Sequence, residues 1–192
     1  MTKDDIISLP NSHLRQKSQR IGLITPEIRQ IVEDMKAATL DWDASREHEV
    51  GVALAAVQID KLYRIVIVRE DSRDKSNKNF TTFINPEITK HEGEMVADFE
   101  GCLSVPNIYG KVPRHTKVRV KALDLEGREF RISAEDFLAR IFQHEIDHTK
   151  GMVFIDHIKD DPEAFYRLDD KGKLLKLDYE KDIKDHSGLW HE

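Results

Sequence analysis

With 192 residues and 22.3 kDa, the chain is long enough for one domain with its own apolar core. A formal net charge of −6 leaves no basic footprint for phosphate backbones, which argues against nucleic acid as a direct ligand. Hydrophobic residues at 39% and charged residues at 34% exclude a disordered or membrane-embedded chain.

In chain order, Asp4 and Asp5 stand where a secretory or mitochondrial leader carries basic residues, and no long apolar run follows, which predicts a cytoplasmic protein without a membrane segment. Thr25-Pro26-Glu27 then opens a helix over residues 25 to 41, with Thr25 as N-cap and Ile28, Ile31, Val32, Met35 and Ala38 on one face. The stretch from Asp41 to Gln58 turns from polar to small and apolar, predicting a loop that leads into a tightly packed segment. Strands are expected at Tyr63 to Arg69 and Thr82 to Ile88, separated by a polar loop. GEMVADFEGCLSVP reads as a further strand-like segment ending at Gly101-Cys102. From Lys117 to Ile132 apolar and polar residues alternate around Glu126-Gly127, which predicts a hairpin. Ser133, with Asp136 three residues on, suggests the cap of a second helix whose stripe is Phe137, Ile141, His144 and His148, closed by Gly151. Beyond Asp156 acidic residues outnumber basic ones, and the mixed signs predict solvated helix or loop. With no repeat and no Gly/Ser-rich linker, residues 1–192 read as one domain, about 160–192 being a charged C-terminal extension.

The second helix carries His-Glu-x-x-His within QHEIDH, residues 143 to 148, so His144 and His148 lie one turn apart and both imidazoles can reach one ion. A lone histidine on an apolar stripe is more often a hydrogen-bonded core residue; two of them flanking Glu145 reverse that preference. Composition alone would produce the pattern in roughly 3 of 100 such chains, so it needs context. Glu145 is placed to reach a metal-bound water as a general base without being a ligand; its plain alternative is an exposed ion-pair partner. A catalytic site requires a third protein ligand. One known continuation of the motif needs histidine at 154, where this chain has Phe154, and Glu163 sits in a charge-rich tail without a supporting motif. Cys102, the only cysteine, is the remaining candidate. As a nucleophile instead, Cys102 would use one histidine as base and leave the second histidine and Glu145 unexplained. A structural metal site would more often be closed by a fourth Cys or His.

GVALAAVQ (51 to 58), EGCLSVP (100 to 106) and QHEIDH (143 to 148) together resemble the three motifs of the peptide deformylase family, in that order and at comparable spacing. The likeness extends from Pro10 to Arg15, through VPR at 112 to 114, to FIDHI at 154 to 158. It implies an α+β fold, with antiparallel β-sheets packed around a central metal-binding helix and a separate N-terminal helix. It implies one divalent metal, Fe(II), held by Cys102, His144 and His148, with Zn, Ni or Co as substitutes. Two neutral imidazoles and a thiolate leave such a site with a formal charge of +1, which acidifies a bound water. The resemblance further implies hydrolysis of the formyl group from the N-terminal formyl-methionine of nascent polypeptides, with Glu145 moving the proton. Gln58 and the Leu103 N–H would meet the charge on the formyl oxygen. Glu100 and Arg114 would form a supporting ion pair, and Asp147 would orient a histidine. Val52, Ala53, Ile141 and Phe142 are expected to wall a methionine pocket. Contact with the ribosome follows only from family analogy.

The chain departs from the family pattern at two places. Ala53 replaces the second glycine of Gly-x-Gly-Leu-Ala-Ala, adding a methyl and, if that position needs positive φ, strain of ~1 kcal/mol or more. Thr149 stands where leucine is more usual. Neither is a proposed ligand, so altered substrate fit is expected rather than lost chemistry. The competing reading is a catalytically idle or substrate-shifted deformylase-like metal-binding protein; the retention of Glu145 weighs against the idle form.

Overall fold

The computed structural model describes residues 1–72 and 74–190. Helix α1 spans Pro26–Ala44, and the Thr25 hydroxyl accepts from the Ile28 N–H at 3.3 Å, as expected of its N-cap. Seven strands follow in one antiparallel sheet: β1 Ala53–Ala55, β2 Ile65–Arg69, β3 Phe80–Cys102, β4 Val105–Leu123, β5 Glu129–Glu135, β6 Phe165–Leu168 and β7 Leu174–Lys176. Helix α2, Asp136–His148, lies between β5 and β6 in sequence. The architecture is α+β, as the sequence implies.

The sheet order is β1-β2-β3-β4-β6-β7, with β5 paired to β4 beside this path. The two expected strand segments between residues 82 and 102 are one 23-residue strand, bent by register shifts such as those at Ile84/Glu87 and Glu92/Met95. The free edge of β4 is shared, pairing with β5 along Lys117–Leu123 and with β6 at Tyr109 and Gly110.

Strand β2, Ile-Val-Ile-Val-Arg, is buried throughout and apolar up to Arg69 because both faces of the sheet are covered there. Ile65 and Ile67 point toward α1 and meet Ile31, Val32 and Met35, whereas Val66 and Val68 point toward α2 and meet Phe142 and Ile146. A third core joins Val105, Val112, Phe154, Phe165, Ile183 and Leu189.

Two expectations need correction. The cap at Ser133 does not form: β5 continues through Glu135, its ladder pairing Ser133 with Arg119 and Glu135 with Lys117, and the helix begins at Asp136. The strand hydrogen bonds to β4 prevail over the local capping pattern. The C-terminal segment is not simply a solvated tail: β6 joins the sheet, β7 pairs with it, and Phe165, Ile183 and Leu189 are buried. Its apolar residues are spaced too widely for a charge count to reveal.

Candidate active site

Cys102 ends β3, and Leu103-Ser104 form the two-residue turn into β4, so the thiol is delivered from the sheet. Opposite it lies α2, ten of whose thirteen residues are buried. The helix stops where Gly151 takes φ +77°, and a Cβ there would sit 2.4 Å from the Arg15 carbonyl oxygen, so only glycine fits. Thr149, the C-cap, donates its hydroxyl to the Ile146 carbonyl at 2.7 Å and accepts at its own carbonyl from the Ser18 N–H at 2.9 Å.

The structure brings Cys102, His144 and His148 together, with one donor atom from each lying within 4.8 Å of the others. Cys102 Sγ is 3.3 Å from His148 Nε2. A tetrahedral ion with a thiolate and an imidazole at ordinary bond lengths separates their donor atoms by about 3.5 Å, so this pair suits a metal edge. Thiolate and imidazole are also the donor types that bind divalent transition metals. His144 Nδ1 is bonded to Glu100 Oε2 at 2.9 Å, leaving Nε2 as its remaining donor. The residues present fit the metal implied by the sequence.

Glu145 is buried, and its Oε2 has no hydrogen-bond partner among the described residues. Burial pushes its carboxyl up to about 7, opposed by the charge of His144. Glu100 behaves oppositely. Burial alone would raise it, but hydrogen bonds and charges from His144 and Arg114 hold it down at about 2. It therefore remains a carboxylate, bridging His144 to two buried arginines, Arg114 at 2.9 Å and Arg140 at 2.9 Å.

Gln58 is fixed in orientation. Its Oε1 accepts from the Ala55 N–H at 2.9 Å, which turns the amide nitrogen toward Ser104 Oγ at 3.2 Å and Cys102 Sγ at 3.5 Å. The N-terminal segment steadies the same region, the Ile7 and Leu9 N–H groups donating to the carbonyls of Gln58 and Ser104 at 2.8 and 3.0 Å.

A cavity of about 330 Å³ opens over these groups. Val52, Ala53 and Ile141 line it together with Gln58, Cys102, Leu103, His144 and Glu145. Phe142 does not. One residue further round the helix from Ile141, it is fully buried in the core and meets Phe83 edge-on at 4.8 Å. Ala53 lies in β1 opposite Val68, outside the residues with positive φ, so alanine brings no left-handed strain.

The expected Glu100–Arg114 ion pair is present. Asp147 does bind a histidine, but it is His157, at 2.7 Å, and the carboxylate on the proposed ligand His144 is Glu100. Sequence reasoning missed Arg140, which also donates to the carbonyls of Val96, Asp98 and Val112. Its place on the helix stripe, four residues before His144, was the available sign. It also missed Tyr109, whose hydroxyl donates to Glu49 at 2.6 Å across the cavity mouth.

An α+β scaffold that sets His-Glu-x-x-His against a sheet cysteine at the foot of an apolar cavity defines a metallohydrolase architecture. Residues 3–163 match the polypeptide deformylase family. A peptide deformylase from Thermomicrobium roseum is 43% identical over 174 residues, covering 89% of this chain and 94% of that protein. Crystal structures of peptide deformylases superpose well. The enzyme from Synechococcus elongatus, in complex with actinonin, gives a TM-score of 0.72 at 31% identity, covering 81% of this chain and 80% of its own. The Legionella pneumophila enzyme gives 0.70 at 36%, covering 79% and 83%. The chain belongs to the polypeptide deformylase family.

Proposed function

We propose that the protein hydrolyses the formyl group from the N-terminal formyl-methionine of nascent polypeptides, yielding formate and a free amine. The observation that carries this reading is the convergence of Cys102, His144 and His148 with Glu145, whose buried Oε2 has no partner among the described residues, in the lining or at the foot of one cavity.

Cys102 Sγ, His144 Nε2 and His148 Nε2 would hold one divalent metal, which we assign as Fe(II), with Zn, Ni or Co able to substitute. When bound, that ion supplies Lewis acidity and an acidified water. Glu145 takes the proton from the attacking water and passes it to the amine nitrogen as the formyl C–N bond breaks. The Gln58 amide and the Leu103 N–H donate to the formyl oxygen as charge gathers there. Val52, Ala53 and Ile141 receive the methionine side chain, and Glu100 orients His144. Residues 1–192 act as one catalytic domain in the cytoplasm, and ribosome contact rests on family analogy. Among the described residues no helix is long and apolar enough to cross a membrane.

The test is formate release from formyl-Met-Ala-Ser, using protein purified anaerobically with Fe(II) or loaded with Ni(II), beside Glu145→Ala. Metal-dependent release, lost in the variant, supports the reading. No release with one metal bound per chain would instead favour a substrate-shifted or idle relative.

A further inference from the structure

The family match ends at residue 163, but the wall of the active-site cavity does not. Leu168 and Leu174, from the β6–β7 hairpin, line the same cavity as Cys102, His144 and Glu145. These leucines are register partners on adjacent strands, and both are only half-buried, so they present one apolar step to the opening.

Three contacts fix the hairpin where it stands. Tyr166 pairs with Tyr109 on β4, the residue that bridges the cavity mouth to Glu49. The Tyr166 ring meets Phe99, another cavity residue, edge-on at 4.9 Å. At the hairpin turn, a Cβ on Gly172 would lie 3.3 Å from His48 Cγ, so the turn packs against the loop of residues 45–52 that forms the facing wall. Gly101 completes the fit: a Cβ there would come within 2.6 Å of the Tyr109 ring, so its absence lets that ring pack directly against the backbone of β3.

We propose that the β6–β7 hairpin is a substrate-recognition element, in which Leu168 and Leu174 contact the polypeptide downstream of the formyl-methionine and favour apolar side chains there. The occupant is set by continuity. A methionine held by Val52, Ala53 and Ile141 at the foot of the cavity must send its following residues out through the mouth, each advancing the extended chain by about 3.3–3.6 Å. Phe99, Tyr109, Leu168 and Leu174 offer apolar surface along that exit, and burying it against an apolar side chain is favourable.

This inference rests on the deformylase reading, and its test separates the two. For the metal-loaded protein, kcat/KM is compared for formyl-Met-Ala, formyl-Met-Ala-Leu-Phe and formyl-Met-Ala-Asp-Asp. The apolar extension is expected to exceed the acidic one by about fivefold or more, chiefly through KM. In Leu168→Ser/Leu174→Ser, and in Leu174→Ser alone should the double variant fold poorly, the ratio of the apolar long peptide to formyl-Met-Ala should fall about fivefold. Equal kcat/KM for the two extensions in the parent, or a preference that survives both variants, overturns the inference while leaving deformylation intact. No turnover of any of the three peptides overturns the deformylase reading, and the inference with it.

Discussion

Glu100 Oε2 lies 2.9 Å from Nδ1 of His144, joining the end of β3 to the middle of α2 through one buried hydrogen bond. The same carboxylate accepts from Arg114 and Arg140, so a single side chain sets a proposed metal ligand and pairs with two buried cations, of which Arg114 is also met by Asp147. Glu100→Gln keeps the shape and removes the charge. Metal affinity should fall about 10–100-fold, read by competition with a chromophoric chelator. An unchanged affinity would mean that a neutral acceptor suffices to set His144 and the charge of Glu100 does not matter to the site.

Gln58 is held by the Ala55 N–H so that its amide nitrogen faces the cysteine end of the site. Gln58→Met approximates its volume without the donor. If Gln58 meets charge that develops only in the transition state, kcat should drop about 10²–10³-fold with little change in KM and no loss of bound metal. A rise in KM with kcat unchanged would instead assign Gln58 to uniform, ground-state binding.

Ala53 has ordinary strand geometry, so Ala53→Gly relieves no strain and should cost about 0.5–1 kcal/mol of stability. It removes a methyl from the cavity wall, and kcat/KM for formyl-Met-Ala-Ser should rise several-fold. A variant that is less stable but no faster would remove Ala53 from the account of substrate fit.

Asp43 accepts the Gly51 N–H at 2.6 Å and pairs with the fully buried Arg69, which also donates to the Gly51 carbonyl. This pair ties the end of α1 to β2 and to the loop that walls the cavity. Asp43→Ala leaves the guanidinium without its counter-ion and should cost about 3–5 kcal/mol. Thermal unfolding would show it as a fall in Tm of roughly 6–20 °C. A fall of under about 2 °C would mean that water compensates Arg69.

Much of the site is legible in the sequence because its chemistry is written in local patterns. His144 and His148 fall on one helix face by spacing alone, Cys102 is the only thiol, and Gly151 marks the helix end. What could not be read locally depends on pairing over long distances. Ser133 looks like a helix cap until β4 claims it as a strand partner. Phe142 looks like a pocket wall until Phe83, 59 positions earlier, fixes which way it faces. Glu100 and Arg140 are two ordinary charges in the sequence, and only the packing of α2 against β3 makes them partners. Leu168 and Leu174 sit among charged residues whose composition conceals a hairpin.

The third core also bears on when the protein becomes active. Val105, three positions after Cys102, is packed in a cluster that includes Phe165, Ile183 and Leu189. Cys102 itself packs against this cluster, so the turn that presents the thiol has its packing completed by residues near position 190. Contacts this distant in sequence form late, since the entropy of closing the intervening chain must be overcome first. During synthesis, a chain that has already presented both histidines would still lack a rigid cysteine end, and the ion itself would favour closure once the segment arrives. Assembly of the cysteine end is therefore expected to wait until the residues near position 190 have been made and packed against it.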